Sequence, residues 1–356
     1  MRIGILTFHC AYNYGAVLQC YALQEFLTQR GHDVRVIDYR PKAITDVYKW
    51  CKKEKFIRKN LYAAAKELIL LPWKKKRNEM FQNFINCKLN LVPVKTISQD
   101  PFDFIFVGSD QVWNYNLTNG FDEYYWGNFP HPKNTLIISY AASMQDDWPE
   151  ELSLRIKQNL ENFSRISVRE TSLATKLKEV SGGRNIFQVV DPTLLLNRED
   201  WDALAKAPRV KKPYLLLFQV GSRNAKTEHI AEVVAKRQNL SIVRLSTLVS
   251  WETSHMVMST SPEEFLGLFK NASFVVCSSF HGTVFSLIFN RPFVSVRMGV
   301  GKDNRVDNLL RQLGLTDHFV DVLNTDSDYT YNSVSEGLKA LKENSVDFIT
   351  SIDKLM

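Results

Sequence analysis

The stretch Ser273-Phe-Val-Val-Cys-Ser-Ser-Phe-His281-Gly-Thr-Val-Phe-Ser-Leu-Ile-Phe289 predicts a buried strand that turns sharply into an apolar helix. The apolar run from Phe274 to Cys277 has the length of a strand, and the helix is expected from about Gly282. Open α/β sheets bind their ligands where a parallel strand leads into a helix. This stretch therefore predicts both the fold class and the position of a ligand site.

The turn between the strand and the helix carries groups that suit an anion. Ser279 and His281 lie in the turn, and Gly282 and Thr283 are expected to offer free N–H groups at the helix start. A helix N-terminus attracts negative charge, and the histidine adds a titratable group beside it. A capped helix start with a hydrogen-bonded histidine is the alternative that this stretch leaves open.

The length and composition describe an ordinary globular chain. Its 356 residues are too many for one core, so two domains are expected. No window reaches the ~18 apolar residues of a membrane span, and the N-terminus lacks the apolar run of a signal peptide. The odd cysteine number and the lack of a Cys-x-x-Cys pair indicate reduced thiols. We therefore expect a cytoplasmic protein.

The net charge of +7 is unevenly distributed. Between Lys42 and Arg77 there are twelve basic and three acidic residues, giving 12 − 3 = +9, so the remainder carries 7 − 9 = −2. The basic character belongs to one segment, and no nucleic-acid partner is expected.

Strand and helix patterns alternate twice along the chain, which predicts an α/β fold of two Rossmann-like domains with a cleft between them. The first domain is expected over 1–200, the second, with the Ser-Phe-His-Gly motif, over 201–330, and a C-terminal helix over 331–356.

Residues 42–88 break this alternation and are interpreted as a basic helical insertion. An amphipathic helix over 56–71 is followed by Pro72-Trp-Lys-Lys-Lys-Arg77. Basic residues beside Leu, Ile and Trp are typical of helices that lie on anionic membranes, so 49–77 is a candidate for peripheral contact with the membrane's inner face. An ordinary surface insertion with a solvated basic face is the alternative.

Three turns of the first domain add candidate residues. Asn13 and Gly15 occupy the turn before the first helix, where a ligand could approach the helix start. Asp110 follows the predicted strand 102–107 and is a candidate for binding a hydroxyl or taking its proton, with an N-cap as the alternative. Arg169 ends a short strand and suits phosphate or carboxylate, with a salt bridge to Glu170 or a neighbour as the alternative.

A metal site is not expected. The histidines show no His-x-x-x-His spacing, and Asp326-Ser-Asp328 lies in a polar loop away from any strand. The remaining candidates are His281 with its helix start, Arg169, Arg305, Asn13, Gly15 and Asp110. Together they suit the transfer of a group between a phosphorylated donor and a polyhydroxy acceptor.

Five short motifs follow one another in order along the chain: Asn13-Tyr-Gly-Ala-Val-Leu-Gln19, Gly108-Ser-Asp-Gln-Val-Trp113, Ser167-Val-Arg-Glu170, Asp191-Pro-Thr-Leu194 and Ser279-Phe-His-Gly-Thr283. In this order they resemble the motifs of polysaccharide pyruvyl transferases, and the resemblance extends from Met1 to about Leu315. It implies a fold similar to the glycosyltransferase-B type, with catalysis between the domains. It also implies phosphoenolpyruvate as co-substrate, no other cofactor, and a sugar diol as acceptor, with a cyclic pyruvate ketal and phosphate as products.

The resemblance also implies roles for individual residues. His281 matches the histidine that contacts phosphoenolpyruvate, with a backbone contact from Phe280, and Arg169 resembles the arginine that holds the donor's anionic groups. Arg305 is a further donor-binding candidate, together with Ser279, Gly282 and Thr283, while Asn13 and Gly15 are expected on the acceptor side of the cleft. Ala16 stands where many members carry an acid, which leaves Asp110 as the expected catalytic carboxylate.

Two other functions stay open from the sequence. A glycosyltransferase that binds a nucleotide-sugar would use the same cleft, and a non-catalytic protein could dock on anionic membrane through its basic helix. Whether the acceptor sugar is lipid-linked or nucleotide-linked, and whether His281 donates a proton or only holds charge, also stays open.

Overall fold

The computed structural model describes residues 1–49, 61–144, 148–221, 223–247, 249, 257, 259–299, 303–324, 326–327, 329–331 and 334–352, with the backbone alone over 61–67. All statements below about the fold and the site concern these residues. Residues 50–60 of the predicted membrane-contact segment and Asp328 of the loop pair lie outside them.

A seven-stranded parallel sheet forms the first domain, in the order β3-β2-β1-β4-β5-β6-β7. Its strands are β1 (Arg2–Leu6), β2 (Asp33–Ile37), β3 (Leu91–Val92), β4 (Phe104–Val107), β5 (Leu136–Ala142), β6 (Arg165–Val168) and β7 (Ile186–Gln188).

The helices of this part are α1 (Tyr14–Thr28), α2 (Lys42–Thr45), α3 (Leu61–Lys88), α4 (Thr96–Gln99), α5 (Ser153–Leu160), α6 (Thr171–Val180) and α7 (Arg198–Leu204). Short 3₁₀ turns cover Asp46–Tyr48, Glu123–Trp126, Glu150–Leu152 and Pro192–Leu194.

A five-stranded parallel sheet forms the second domain, in the order β12-β11-β10-β8-β9. Its strands are β8 (Tyr214–Gln219), β9 (Ser241–Ser246), β10 (Phe274–Cys277), β11 (Phe293–Val296) and β12 (Phe319–Val320). The helices are α8 (Ala225–Gln238), α9 (Pro262–Asn271), α10 (Phe280–Ile288), α11 (Asn304–Gln312) and α12 (Ser335–Thr350), with a 3₁₀ turn at Thr316–His318.

The central strands are apolar because helices cover both faces of each sheet. Every residue of β4, β8 and β10 is buried, as expected for strands inside a parallel sheet. The strand order reverses between β1 and β4 in the first sheet and between β8 and β10 in the second. Ligands of such sheets bind beyond the carboxyl ends of the strands at these reversal points.

The two domains share one apolar core at the start of α1. The Tyr14 ring stacks on Phe265 of the second domain at 4.4 Å between centroids, and its hydroxyl donates to the Thr260 carbonyl at 3.1 Å. Trp201 packs edge-on against Phe285 at 5.2 Å. These contacts bring the start of α1 against the second domain.

Helix α12 returns from the second domain to the first. Its Phe348 ring lies 5.2 Å from Phe187 of β7 and 6.2 Å from Tyr140 of β5. The Val190 N–H donates to Ser345 Oγ at 2.9 Å. The helix therefore packs against the first sheet and covers the segment that follows β7.

The expectation that residues 42–88 interrupt the alternation is wrong for their C-terminal part. Helix α3 is the crossover that joins β2 to the parallel strand β3. Phe81, Phe84 and Ile85 lie in the core, and the buried Arg77 lies over the Phe81 ring at 4.5 Å. The lysines that precede this stretch hid its apolar face from the sequence pattern.

No helix of the described chain combines the length and apolar character needed to cross a membrane. The cysteines within the described residues are free thiols: Cys10, Cys20, Cys87 and Cys277. The predicted fold class, two Rossmann-like α/β domains with a cleft between them, is confirmed.

Candidate active site between the two domains

The start of α10 is a capped helix N-terminus. Ser279 is the N-cap, and its hydroxyl accepts the Gly282 N–H at 3.1 Å, while its carbonyl accepts the Thr283 N–H at 3.1 Å. The expectation that Gly282 and Thr283 offer free N–H groups is therefore wrong, because the cap uses both. The N–H groups of Phe280 and His281, the first two helical residues, are the ones that face the helix start.

Gly282 and Thr283 instead hold the helix against the second sheet. A Cβ at Gly282 would lie 2.8 Å from the Cys277 Cβ, so only glycine lets α10 approach β10 this closely. The Thr283 hydroxyl is fully buried and lies 2.7 Å from Ser295 Oγ on β11. Their role in the site is to position His281.

His281 meets the first domain at the turn before α1. Asn13 is the N-cap of α1 and accepts the Gly15 N–H at 3.0 Å. A Cβ placed on Gly15 would lie 2.5 Å from both Cγ and Cε1 of His281, so the imidazole lies directly on the glycine backbone. The structure thus brings Asn13, Gly15 and His281 together across the domain boundary.

Arg169, at the carboxyl end of β6, is surrounded by carboxyl groups. Its Nη1 pairs with Asp191 Oδ2, its Nη2 lies 3.8 Å from Asp110 Oδ1, and its Nε lies 3.5 Å from Glu170 Oε1. The salt bridge that the sequence left open as an alternative is present. It holds the guanidinium in one orientation at the centre of the cleft.

Asp191 also lies at this centre, although the sequence alone assigned it no role in the site. It is 1% exposed, accepts the Thr193 N–H at 3.0 Å, and lies 3.6 Å from His281 Nε2. Burial alone would raise the pKa of Asp191, but His281, Arg169 and the Thr193 hydrogen bonds together hold it well below its ordinary value. The sequence does carry a signal for its place in the site, because Asp191-Pro192 follows β7 at the same sheet edge as Arg169.

Asp110 does not cap a helix, because the chain after it forms turns rather than a helix. Its backbone has φ +69°, its carbonyl accepts the Ser143 N–H at 2.9 Å, and it bridges to Ala142 beyond the end of β5. The capping alternative is therefore wrong. The carboxylate lies 3.8 Å from Arg169 Nη2, and its side chain is partly exposed.

The guanidinium groups of Arg169 and Arg305 both lie near the ring of Phe280. Arg169 Cζ lies 4.7 Å and Arg305 Cζ 5.8 Å from its ring centroid. Burial lowers the pKa of Arg305, and the nearby Arg169 lowers it further because two like charges repel. An anion between the two guanidinium groups would relieve this repulsion.

Several buried polar atoms at this centre make no hydrogen bond to the described residues. Within the described residues, His281 Nε2, Arg169 Nη2 and Arg305 Nε are buried and make no hydrogen bond. Buried polar groups in native proteins are nearly always bonded, so unused ones that converge indicate a ligand. A cavity of about 200 Å³ adjoins the two arginines and is lined in part by Arg169, Asp191, Phe280 and Arg305.

No group of three or more His, Cys, Asp or Glu side chains suited to a metal ion occurs in the part of the chain that the structure describes. The centre is therefore built from two arginines, one histidine and carboxylates.

This fold and centre define a two-domain α/β protein with an anion-oriented site between its domains. The family model "Polysaccharide pyruvyl transferase" matches residues 13–298, which is most of the chain. The chain belongs to the polysaccharide pyruvyl transferase family. A search of curated proteins finds no match.

Comparison with solved structures finds similar chains at low sequence identity. A Listeria monocytogenes protein assigned as a UDP-N-acetylglucosamine 2-epimerase is 9% identical, with a TM-score of 0.50 over 100% of this chain and 97% of that one. The UDP-GlcNAc 2-epimerase of Methanocaldococcus jannaschii is 12% identical, with a TM-score of 0.47 and full coverage of both chains. The spinosyn forosaminyltransferase SpnP is 12% identical, with a TM-score of 0.42 over 100% of this chain and 99% of that one.

The substitution Asp191→Ala is expected to lower the free energy of unfolding by about 3–5 kcal/mol, because it leaves the buried Arg169 without its closest carboxylate. Denaturant unfolding measures this loss. Asp317→Ala, at an exposed aspartate, is the matched control and should change stability by no more than about 0.5 kcal/mol. A loss for Asp191→Ala as small as that of the control would contradict the ion pair.

The substitution Gly15→Ala is expected to reduce turnover about 100-fold, because the new methyl group displaces the His281 ring. Initial-rate kinetics on the folded variant measure this. Gly337→Ala is the control, since a methyl group there meets only the end of the Leu313 side chain at 3.1 Å. Equal rates for both variants would show that the Gly15–His281 contact does not contribute to turnover.

Proposed function

We propose that the protein transfers the pyruvyl group of phosphoenolpyruvate to a sugar diol as a cyclic ketal and releases phosphate. The observation that carries this proposal is the convergence of Arg169, Arg305 and His281, each with a buried nitrogen that makes no hydrogen bond to a described residue. Membership of the family supports the transfer of a pyruvyl group. The donor and the acceptor are the proposed elements.

The charges of the site suit this donor. Phosphoenolpyruvate carries about three negative charges near neutral pH, two on the phosphate and one on the carboxylate. Arg169 and Arg305 flank the Phe280 ring, and the N-terminus of α10 points its N–H groups to the same region. Two guanidinium groups and a helix N-terminus thus attract the donor, although Asp191 and Asp110 already offset part of the charge of Arg169.

Asp110 is proposed to act on the acceptor. Attack of a sugar hydroxyl on the central carbon of the donor requires a base to take the hydroxyl proton. The Asp110 carboxylate lies 3.8 Å from Arg169 Nη2, so a hydroxyl bound to it would adjoin the donor. Phosphate then leaves, and the second hydroxyl closes the ring.

His281 is proposed to hold charge rather than to donate a proton. Its ring lies on Gly15, and its Nε2 lies 3.6 Å from the ionised Asp191. A carboxylate at that distance orients the imidazole and favours its N–H on Nε2, the side of Asp191.

The acceptor is proposed to be a precursor of a bacterial surface or capsular polysaccharide, carried on a lipid or a nucleotide. The protein would then act in the cytoplasm, peripherally at the inner face of the membrane. The start of α3 supports this placement, because Leu68, Ile69 and Trp73 are exposed beside Lys75 and Lys76. Apolar and basic side chains together bind anionic lipid surfaces.

The function is tested by incubating the protein with phosphoenolpyruvate and a panel of sugar acceptors, with phosphate release and product mass as readouts. The melting temperature of the protein is measured in parallel, with phosphoenolpyruvate and with nucleotide-sugars. Stabilisation by nucleotide-sugars alone, without phosphate release, would favour a glycosyltransferase and overturn the proposal.

The substitution His281→Gln is expected to lower phosphate release at least about 100-fold and to weaken phosphoenolpyruvate binding, while the fold stays intact. His229→Gln, at an exposed histidine on α8, is the control and should leave both unchanged. Near-normal turnover of a folded His281→Gln variant would refute the assignment.

The triple substitution Lys74→Glu, Lys75→Glu, Lys76→Glu is expected to remove binding to vesicles of anionic lipid, since each lysine near such a surface contributes about 1 kcal/mol. Vesicle sedimentation at low salt measures this. The triple substitution of the exposed lysines 133, 157 and 178 makes the same charge change elsewhere on the first domain and should retain binding. A wild-type protein without vesicle affinity would contradict the membrane contact.

A further inference from the structure

Glu170 is a buried carboxyl group that has no role in the proposed function. It follows Arg169 directly at the carboxyl end of β6 and is 3% exposed. The Ser143 hydroxyl, at the end of β5, donates to Glu170 Oε1 at 2.5 Å, and Arg169 Nε lies 3.5 Å from the same oxygen. The other oxygen, Oε2, is buried and finds no hydrogen-bond partner among the described residues.

The two oxygens of Glu170 are therefore unequal. Oε1 faces two donors, so it is the acceptor oxygen, and a proton on the neutral carboxyl group belongs on Oε2. A buried oxygen with no partner is costly when it is charged, and less so when it carries a proton that a ligand can accept. When Glu170 is neutral, its O–H group therefore lies on Oε2, which has no acceptor among the described residues.

The surroundings of Glu170 keep the group protonated to higher pH than an ordinary glutamate. Burial raises the pKa of Glu170, and Arg169, the Ser143 hydroxyl and Arg305 oppose this shift without reversing it. These three face it from its own strand end, from β5 and from α11. Asp110 and Asp191 lie across the Arg169 guanidinium, where they offset part of its positive charge.

We propose that Glu170 is the acid that protonates the methylene carbon of the enolpyruvyl donor, with Oε2 as the donating atom. This inference rests on the proposed function and names a catalytic residue within it. The donor's anionic groups would lie on Arg169 and Arg305, and Glu170 adjoins both. His281 is less suited, because its ring lies on Gly15 and its Nε2 faces Asp191.

The step balances without any further reagent. The π electrons of the donor's C=C bond take the proton from Oε2, so a C–H bond forms at the methylene carbon and the O–H bond of Glu170 breaks. The new carboxylate lies beside Arg169 and Arg305, which stabilise its charge. The central carbon accepts the oxygen of the first sugar hydroxyl, whose proton passes to Asp110.

The second half of the reaction restores the proton balance. The bond from the central carbon to the phosphate oxygen breaks, and its electron pair leaves with the phosphate. The second hydroxyl oxygen bonds to the central carbon, and its proton goes to the phosphate. Asp110 loses the first hydroxyl proton and Glu170 regains one from solvent, so the two hydroxyl protons account for the new C–H bond and the protonated phosphate.

The test compares wild type with Glu170→Gln, which keeps the size and the acceptor oxygen for Ser143 but carries no acidic proton. We expect the affinity for phosphoenolpyruvate, measured by calorimetry, to stay within about threefold, and kcat to fall at least about 100-fold. His281→Gln, in contrast, should weaken that affinity. Glu179→Gln, at an exposed glutamate of the next helix, is the matched control and should match wild type.

The pH dependence adds a second readout. Since the neutral acid is the active form, kcat of wild type should fall as pH rises through the raised pKa of Glu170. Glu170→Asp should move this fall to another pH, which a merely structural role would not do.

The possible results distinguish a failure of the Glu170 inference from a failure of the proposed function. A folded Glu170→Gln variant with kcat close to wild type overturns the inference and leaves the proposed function standing. Loss of both binding and turnover in Glu170→Gln also overturns it, in favour of a role in holding Arg169. A wild-type protein that neither binds phosphoenolpyruvate nor releases phosphate from it overturns the proposed function, and the inference with it.

Discussion

The buried ion pair between Arg169 and Asp191 is the interaction on which the site depends. Asp191 accepts hydrogen bonds from Thr193 and faces His281 of the second domain at 3.6 Å, so one carboxylate fixes side chains of both domains. An isolated charge at 1% exposure would be costly, and the ion pair makes this burial tolerable. The orientation of the guanidinium, and with it the place of a bound anion, follows from this pair.

The packing of the domains sets the distance across the cleft. Tyr14 stacks on Phe265, and Gly15 lets the His281 ring lie on the backbone of α1. Both contacts come from two neighbouring residues at the start of one helix, so the helix that begins at the first sheet also positions the histidine of the second domain. Helix α12, which returns to the first sheet through Phe348 and Ser345, gives the domains a second connection. The cleft is thus held from both sides.

Much of this arrangement could be predicted from residues close together in the chain. The strand at Phe274–Cys277 appeared as an apolar run. Asn13 was expected in the turn before the first helix, Asp110 after a predicted strand, and Arg169 at the end of one. Other features could not be predicted, because they depend on partners far away in the chain. The N–H groups of Gly282 and Thr283 are used by the Ser279 cap, and the crossover role of α3 required knowing that β2 and β3 are neighbours.

The sequence by itself determined the two α/β domains, since strand length, apolar runs and turn residues are local properties of the chain. It also determined which sheet edge carries the polar residues, because each of them ends a strand. Only the tertiary structure decided that Asp191 and Glu170 belong to the centre, and that the Phe280 ring lies beneath both arginines. The reason is physical: burial and the approach of distant charges decide what an ionisable side chain does, and both exist only once the two sheets have packed together.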